Sequence, residues 1–99
     1  MAKIDRCQIA SWFIYLIRLE NNALYCGITT DVNRRFEQHK LGKGSKLLRG
    51  QSNLCLVWSE RAGNSRSEAS KAEFVVKKLP KIKKEALVRG SLKLSDVMS

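Results

Sequence analysis

Residues 12–28 decide the fold, and they read WFIYLIRLENNALYCGI. The first six side chains are all aromatic or aliphatic, a composition that favours a buried strand. Glu20, Asn21 and Asn22 then supply a turn, because asparagine tolerates the left-handed backbone conformation. A second apolar segment follows at residues 24–28. The pattern predicts a β-hairpin of two antiparallel strands.

The segment after the hairpin predicts a helix. Thr30 or Asp31 can cap its first turn, and Gly42 stops it after about residue 40. A glycine- and lysine-rich stretch, GKGSK, follows at residues 42–46. Two glycines of this spacing predict a mobile loop and do not form a phosphate-binding motif.

The second half of the chain predicts one strand and two further helices. The strand is expected at residues 54–58, LCLVW. Ser65 and Glu68 form a capping box that opens a helix lasting to Leu79, and Pro80 begins a shorter helix through about Val88. The predicted order is β-β-α-β-α-α, an α/β (α+β) fold with a small three-stranded antiparallel sheet flanked by helices.

A chain of 99 residues supports one modest core. We expect the domain to occupy residues 12–89, preceded by an N-terminal extension at residues 1–11 and followed by a loose C-terminal tail at residues 90–99. No apolar run approaches the ~18–20 residues needed to cross a bilayer, so no membrane association is expected.

The cysteines and the N-terminus predict a cytoplasmic protein. Cys7, Cys26 and Cys55 are odd in number and lack C-x-x-C spacing, which favours reduced thiols over disulfides or a zinc site. The first residues contain no apolar stretch followed by a small-residue cleavage site, so export is not expected.

Positive charge dominates the composition. Nineteen Lys and Arg against nine Asp and Glu give a net charge of +10, whereas small soluble domains typically carry about 2–8. The excess favours a nucleic acid partner, through neutralisation of phosphates and release of counterions. A solubilising surface is the alternative. With one histidine and no glycine-rich phosphate motif, neither a multi-histidine metal site nor a small-molecule cofactor is predicted.

The first helix has two adjacent arginines with different orientations. At about 100° per residue, Arg35 shares a face with Val32, Phe36 and His39, while Arg34 points to the opposite side. An arginine among apolar side chains needs an anionic partner, and a phosphate suits its fixed donor geometry. A structural ion pair explains the pattern equally well.

The second helix carries Glu73 at the edge of an apolar stripe that contains Ala69, Ala72 and Val76. A carboxylate in this position is costly unless it is paired or binds a metal ion. The alternatives are that Glu73 reaches water or that it pairs with Arg35. Helix spacing alone favours these structural roles.

Four elements stand in the order found in a known family: Phe13-Ile14-Tyr15, Tyr25-Cys26-Gly27, Arg34-Arg35 with His39, and Glu73 on a later helix. This set resembles the GIY-YIG endonuclease superfamily, and especially its small single-domain bacterial branch of YhbQ-like proteins. The resemblance extends over residues 12–88. Phe13 stands where the first motif has glycine, and Cys26 stands where the second has isoleucine. No asparagine follows Glu73, so the phosphate contact that asparagine makes elsewhere is absent or falls to Lys77 or Lys78.

The resemblance implies a metal-dependent nuclease that hydrolyses DNA phosphodiester bonds in repair or processing, without strong sequence specificity. Tyr25 would be the general base or would orient the attacking water, Arg35 would clamp the phosphate, and Glu73 would hold one Mg²⁺ or Mn²⁺ ion. Tyr15 would flank the scissile phosphate together with Tyr25, and His39 would orient Tyr25 or share the base role. The residues expected to bind nucleic acid are Arg34, Lys43, Lys46, Arg49, Lys77 and Lys78.

Two other functions remain open at this point. One is a non-catalytic module that binds nucleic acid with the same basic surface. The other is a basic protein that docks on an acidic protein partner. DNA is the expected substrate with RNA as an alternative, and the size of the chain is compatible with a monomer.

Overall fold

The first two strands form the predicted hairpin in this computed structural model, which describes residues 11–98. The strands are β1, Trp12–Arg18, and β2, Leu24–Thr29. Asn22 has a φ of 73° at the turn, and the N–H of Leu19 donates to the carbonyl of Ala23 at 2.8 Å. The left-handed conformation expected of the asparagine pair is therefore confirmed at Asn22.

A third strand, β3, Cys55–Gly63, pairs antiparallel with the other side of β1. The sheet order is β2-β1-β3, so β2 and β3 are the edge strands. β3 extends five residues beyond the predicted strand end at residue 58. Residues 59–63 lack an apolar pattern because three of them are polar, and their place in the sheet comes from hydrogen bonds to β1.

The helices are α1, Val32–Lys40; α2, Arg66–Lys78; α3, Lys81–Arg89; and α4, Leu94–Met98, with a short 3₁₀ turn at Lys46–Leu48. Asp31 caps α1 by accepting from the N–H of Arg34 at 3.1 Å. Ser65 caps α2 by accepting from the N–H of Glu68 at 3.2 Å. The α+β architecture and the order β-β-α-β-α-α are confirmed as far as residue 89.

The expectation of a loose tail after residue 90 is wrong. Residues 94–98 form α4, and the N–H of Lys93 donates to the Asp96 carboxylate at 2.9 Å at its start. Leu94 is buried in the core, and Val97 packs against the same cluster. Burial of these two apolar side chains stabilises a helix that is too short to form on its own.

The sheet has a helix on each face because alternate residues of β1 point in opposite directions. Ile14 and Leu16 pack with Ala72 and Val76 of α2. Tyr15 and Ile17 form the second cluster, against which α1 residues Val32 and Phe36 pack. Because α1 and α2 lie on opposite faces, the exposed edge of β2 runs between them.

Within residues 11–98, no helix is long and apolar enough to span a membrane. Cys26 is a buried free thiol and Cys55 is an exposed one. Residues 1–10, which include Cys7 and nearly all of the expected N-terminal extension, lie outside the described residues.

Candidate active site

Three of the expected site residues form a cluster on the α1 side of the sheet. Tyr15 lies at the centre of β1, Tyr25 on β2 and His39 in the last turn of α1. Their ring centroids are 6.5 Å apart for Tyr15 and Tyr25, 5.9 Å for Tyr15 and His39, and 5.5 Å for Tyr25 and His39. In the sheet register Tyr15 is opposite Gly27, and Tyr25 is opposite Ile17. The two tyrosines are therefore diagonal neighbours on one face.

Tyr15 and His39 are locked together. The Tyr15 hydroxyl and Nε2 of His39 are hydrogen-bonded at 2.8 Å, and both side chains are almost completely buried. Burial, with the positive charge of Arg35, lowers the pKa of His39, so the imidazole is neutral at neutral pH. Burial and the neighbouring Tyr25 raise the pKa of Tyr15 to about 12, although Arg35 opposes this rise. Tyr15 is thus a phenol that holds its proton.

Two glycines make room for this pair. A Cβ atom at Gly27 would lie 2.4 Å from the Tyr15 hydroxyl oxygen, and one at Gly44 would lie 2.2 Å from Nδ1 of His39. The glycine of the Tyr25-Cys26-Gly27 motif is therefore required by Tyr15. The sequence predicts Gly44 only as part of a mobile loop, and no local pattern identifies its contact with His39.

Nδ1 of His39 is buried without a hydrogen-bond partner among the described residues. The backbone at Gly44 closes over this atom, since its missing side chain would fall on the imidazole ring. A buried polar atom without a partner costs roughly 1–3 kcal/mol. The loop over residues 42–46 therefore seals one side of the cluster instead of serving only as a mobile connection.

We expect Gly44→Ala to reduce the free energy of unfolding by about 1–3 kcal/mol, because a methyl group there overpacks against a buried ring. Gly44 does not have a positive φ, so the effect is steric. Urea unfolding of Gly44→Ala, His39→Ala and the double variant measures it. In the His39→Ala background the alanine should cost little. An equal cost in both backgrounds would show that His39 is not the group that the methyl meets.

Arg35 and Arg34 differ in burial as the helix phase predicted. Arg35 is half-buried and Arg34 is exposed. Nη1 of Arg35 donates to Oε1 of Gln38 at 2.9 Å. Arg35 makes no ion pair within residues 11–98. The alternative in which Arg35 pairs with Glu73 is wrong, because Glu73 pairs with Lys77 at 3.3 Å. The Arg35 guanidinium retains donors for an external anion.

Glu73 approaches from the other face of the sheet. It lies on α2, and its side chain is 24% exposed. Burial chiefly raises the pKa of the Cys26 thiol to about 12, and the negative charge of Glu73 contributes to the rise. Cys26 follows Tyr25 on β2, so the Glu73 carboxylate lies near that strand. No hydrogen bond or ion pair of the described chain joins Glu73 to the Tyr15, Tyr25 and His39 cluster.

Glu73 could bind a divalent ion only as a single protein ligand. Residues 11–98 contain no group of three or more His, Cys, Asp or Glu side chains that could surround a metal ion. One carboxylate, with water and substrate phosphate oxygens completing the shell, is a donor set that Mg²⁺ accepts. The residues present therefore fit an ion shared with the substrate, in competition with the Lys77 ammonium group.

The six residues expected to bind nucleic acid are all exposed: Arg34, Lys43, Lys46, Arg49, Lys77 and Lys78. The first four lie on α1 or in the segment that follows it, and the last two lie at the end of α2. Lys78 places its ammonium group 4.3 Å from the ring centroid of Phe74. Positive charge therefore lies on helix α1, on the loop after it and on helix α2.

Comparisons with known proteins address the family of the chain. A family model described as the GIY-YIG catalytic domain matches residues 11–85. A UPF0213 protein of Cronobacter sakazakii is 60% identical over 81 residues, which are 82% of this chain and 84% of the relative. A UPF0213 protein of Vibrio cholerae is 54% identical over 86 residues, 87% of this chain and 85% of the relative. The UPF0213 protein YhbQ of Escherichia coli is 51% identical over 88 residues, 89% of this chain and 87% of YhbQ.

A solved structure extends the agreement to the fold. The solution NMR structure of a UPF0213 protein from Bacillus halodurans is 34% identical, with a TM-score of 0.52, and the alignment covers 90% of this chain and 94% of that one. The matched region contains both motif strands, α1 and the Glu73 helix. The chain belongs to the GIY-YIG family, a nuclease superfamily, and within it to the small UPF0213 proteins.

Proposed function

We propose that this protein is a metal-dependent nuclease that hydrolyses DNA phosphodiester bonds in repair or processing, without strong sequence specificity. The observation that carries the proposal is Arg35, a half-buried guanidinium without a carboxylate partner in residues 11–98, beside the Tyr15, Tyr25 and His39 cluster. A phosphate provides the anionic partner that this arginine lacks. Membership of a nuclease superfamily also supports phosphodiester hydrolysis.

The substrate phosphate would lie along the outer edge of β2. Tyr25 lies on β2 on the α1 face, with Arg35 and His39 on the helix that packs there, and Glu73 lies on the α2 face near the same strand. A phosphodiester that contacts both sets must therefore pass between the two helices. With this placement, residues on opposite faces of the sheet would serve one site.

Each residue would have a distinct role. Arg35 would bind the phosphate oxygens and offset the negative charge that builds in the transition state. Tyr25 would accept or relay a proton from the attacking water, since Tyr15 is held as a phenol by burial and by its bond to His39. His39 would hold Tyr15 in place. Glu73 would hold one Mg²⁺ or Mn²⁺ ion, which supplies Lewis-acid polarisation of the phosphate.

The direct test uses purified protein with labelled single-stranded, duplex and branched DNA, in the presence and absence of Mg²⁺. Cleavage that requires Mg²⁺ supports the proposal. Binding without cleavage would instead indicate a non-catalytic nucleic-acid-binding module. Absence of affinity for DNA and RNA at moderate salt would indicate an acidic protein partner.

The two arginines of α1 provide a matched pair of variants. We expect Arg35→Ala to lower the single-turnover cleavage rate by about 10²–10³-fold, because a donor to the transition state is lost. Arg34→Ala should only weaken binding, since Arg34 is exposed. Single-turnover rates and binding constants of both variants measure this difference. Equal rate losses for the two variants would contradict the assignment of Arg35 to the reacting phosphate.

A further inference from the structure

A cavity of about 370 Å³ opens at the end of the sheet where β1 begins and β2 ends. Its wall includes Trp12, Thr29, Arg34, Arg35, Gln38 and Arg66. Pockets for small ligands typically measure about 300–1,000 Å³, so the space suits one nucleotide. Trp12 and Arg66 were not among the site residues expected from the sequence, because they lie 54 positions apart and belong to different elements.

The side chains of Trp12 and Arg66 are in cation–π contact. The guanidinium carbon of Arg66 lies 5.7 Å from the centre of the Trp12 ring, and the ring is half-buried. Unpaired nucleobases stack on aromatic rings and on guanidinium planes. This pair presents both kinds of surface to one cavity.

The electrostatics of the cavity favour a phosphate. Three arginines line it, Arg34, Arg35 and Arg66, and none of them forms an ion pair within the described part of the chain. The one acidic residue in the wall, Asp31, already accepts from the N–H of Arg34 as the cap of α1. The cavity therefore has an excess of positive charge without an internal partner.

The position of the cavity connects it to the candidate active site. Arg35 is part of its wall and also lies close enough to Tyr15 for its charge to oppose the rise in the pKa of that hydroxyl. A strand whose phosphate binds Arg35 therefore has its neighbouring nucleotide within reach of Trp12 and Arg66.

We propose that this cavity is a nucleotide subsite for the unit next to the scissile phosphate. Its base stacks on Trp12 and Arg66, and its own phosphate binds Arg34. The proposal rests on the proposed nuclease function and narrows the substrate class. A base can enter the cavity only after it leaves the helical stack, so the protein selects DNA with an unpaired nucleotide, such as a single strand, a flap or a branch.

The test measures binding without metal ions, so it does not depend on cleavage. The chain has two tryptophans, so the Trp58→Phe variant retains Trp12 as its single tryptophan. We expect a short oligothymidylate to change Trp12 fluorescence and to bind at least about tenfold more tightly than an abasic oligomer of equal length, because stacking strengthens binding substantially per base. Equal affinity of the two oligomers, or Trp12 fluorescence that does not change on binding, overturns the subsite.

Arg66→Gln in the Trp58→Phe background gives a second measurement, with Lys71→Gln as its control on an exposed position of the same helix. Arg66→Gln should reduce the preference for the base-bearing oligomer, while Lys71→Gln should leave that preference unchanged. Similar preferences in both variants contradict the proposal.

Base-dependent binding without Mg²⁺-dependent cleavage keeps the subsite and refutes the nuclease. Arg35-dependent cleavage with no base preference refutes the subsite and keeps the nuclease.

Discussion

Tyr25→Phe is expected to lower the single-turnover rate of DNA cleavage by about 10²–10⁴-fold, the usual contribution of a proton-transfer group. Tyr15→Phe should have a smaller effect on the rate. Tyr15 has its hydroxyl bonded to His39 at 2.8 Å and its pKa raised to about 12, so it is a poor proton acceptor near neutral pH. Tyr25 is half-buried, and its hydroxyl forms no hydrogen bond with other groups of residues 11–98.

The two substitutions should differ in the opposite order in their effect on stability, with the larger loss for Tyr15→Phe. Tyr15→Phe leaves Nε2 of His39 buried without a partner, which costs about 1–3 kcal/mol. Tyr25→Phe breaks no bond to a described residue and should leave the melting temperature nearly unchanged. Rates should therefore be measured at a temperature where both variants are folded. A Tyr25→Phe protein with a near-normal rate would contradict the proton-transfer role of Tyr25 and leave that role to His39 or to water activated by the metal ion.

Local signals in the sequence were sufficient for most of the fold. Asn22 marks the hairpin turn, and Asp31 and Ser65 mark the starts of α1 and α2, because turns and caps depend on a few adjacent residues. The phase of α1 correctly separated half-buried Arg35 from exposed Arg34. The end of β3 and the helix α4 were missed, because both are stabilised by partners that are distant in sequence.

The site was less accessible to sequence reasoning for the same reason. Helix phase placed His39 on the face of Arg35, but it did not indicate that His39 bonds to Tyr15, 24 positions away. The packing of Gly44 on His39 is likewise a contact between a loop and a helix side chain. At Glu73 the helix pattern indicated a costly carboxylate, whereas the neighbouring Lys77 reduces that cost by pairing with it.

The pairing of Glu73 with Lys77 changes one expectation for Glu73→Gln. A partly buried carboxylate at the edge of an apolar stripe by itself predicts that metal-free Glu73→Gln equals the parent in stability or gains about 1 kcal/mol, as functional residues often limit stability. In the structure, Glu73→Gln instead removes an ion pair between residues four positions apart on a helix. Such pairs contribute about 0.3–0.5 kcal/mol to stability. We therefore expect a slightly lower melting temperature for the folded variant.

Glu73→Gln should affect DNA cleavage far more strongly than stability. We expect Glu73→Gln to abolish metal-dependent cleavage, because the amide lacks the charge that holds a divalent ion. Glu37→Gln is the matched control, since Glu37 is an exposed helical carboxylate paired with Lys40 at 3.2 Å. The control should cleave DNA like the parent and lose a similarly small amount of stability.

Melting curves with and without millimolar Mg²⁺ or Mn²⁺, all in the presence of a short oligonucleotide that supplies the phosphate ligands, test the metal role without an activity assay. An ion that binds only the native state at ten times its Kd stabilises that state by about 1.4 kcal/mol. For a domain of this size such a gain raises the melting temperature by roughly 5–10 °C. The parent and Glu37→Gln should show this rise, and Glu73→Gln should not. A rise in all three proteins would place the ion elsewhere. A Glu73→Gln chain that fails to fold would show a structural role for Glu73 much larger than its pair with Lys77, and would refute its assignment as a metal ligand.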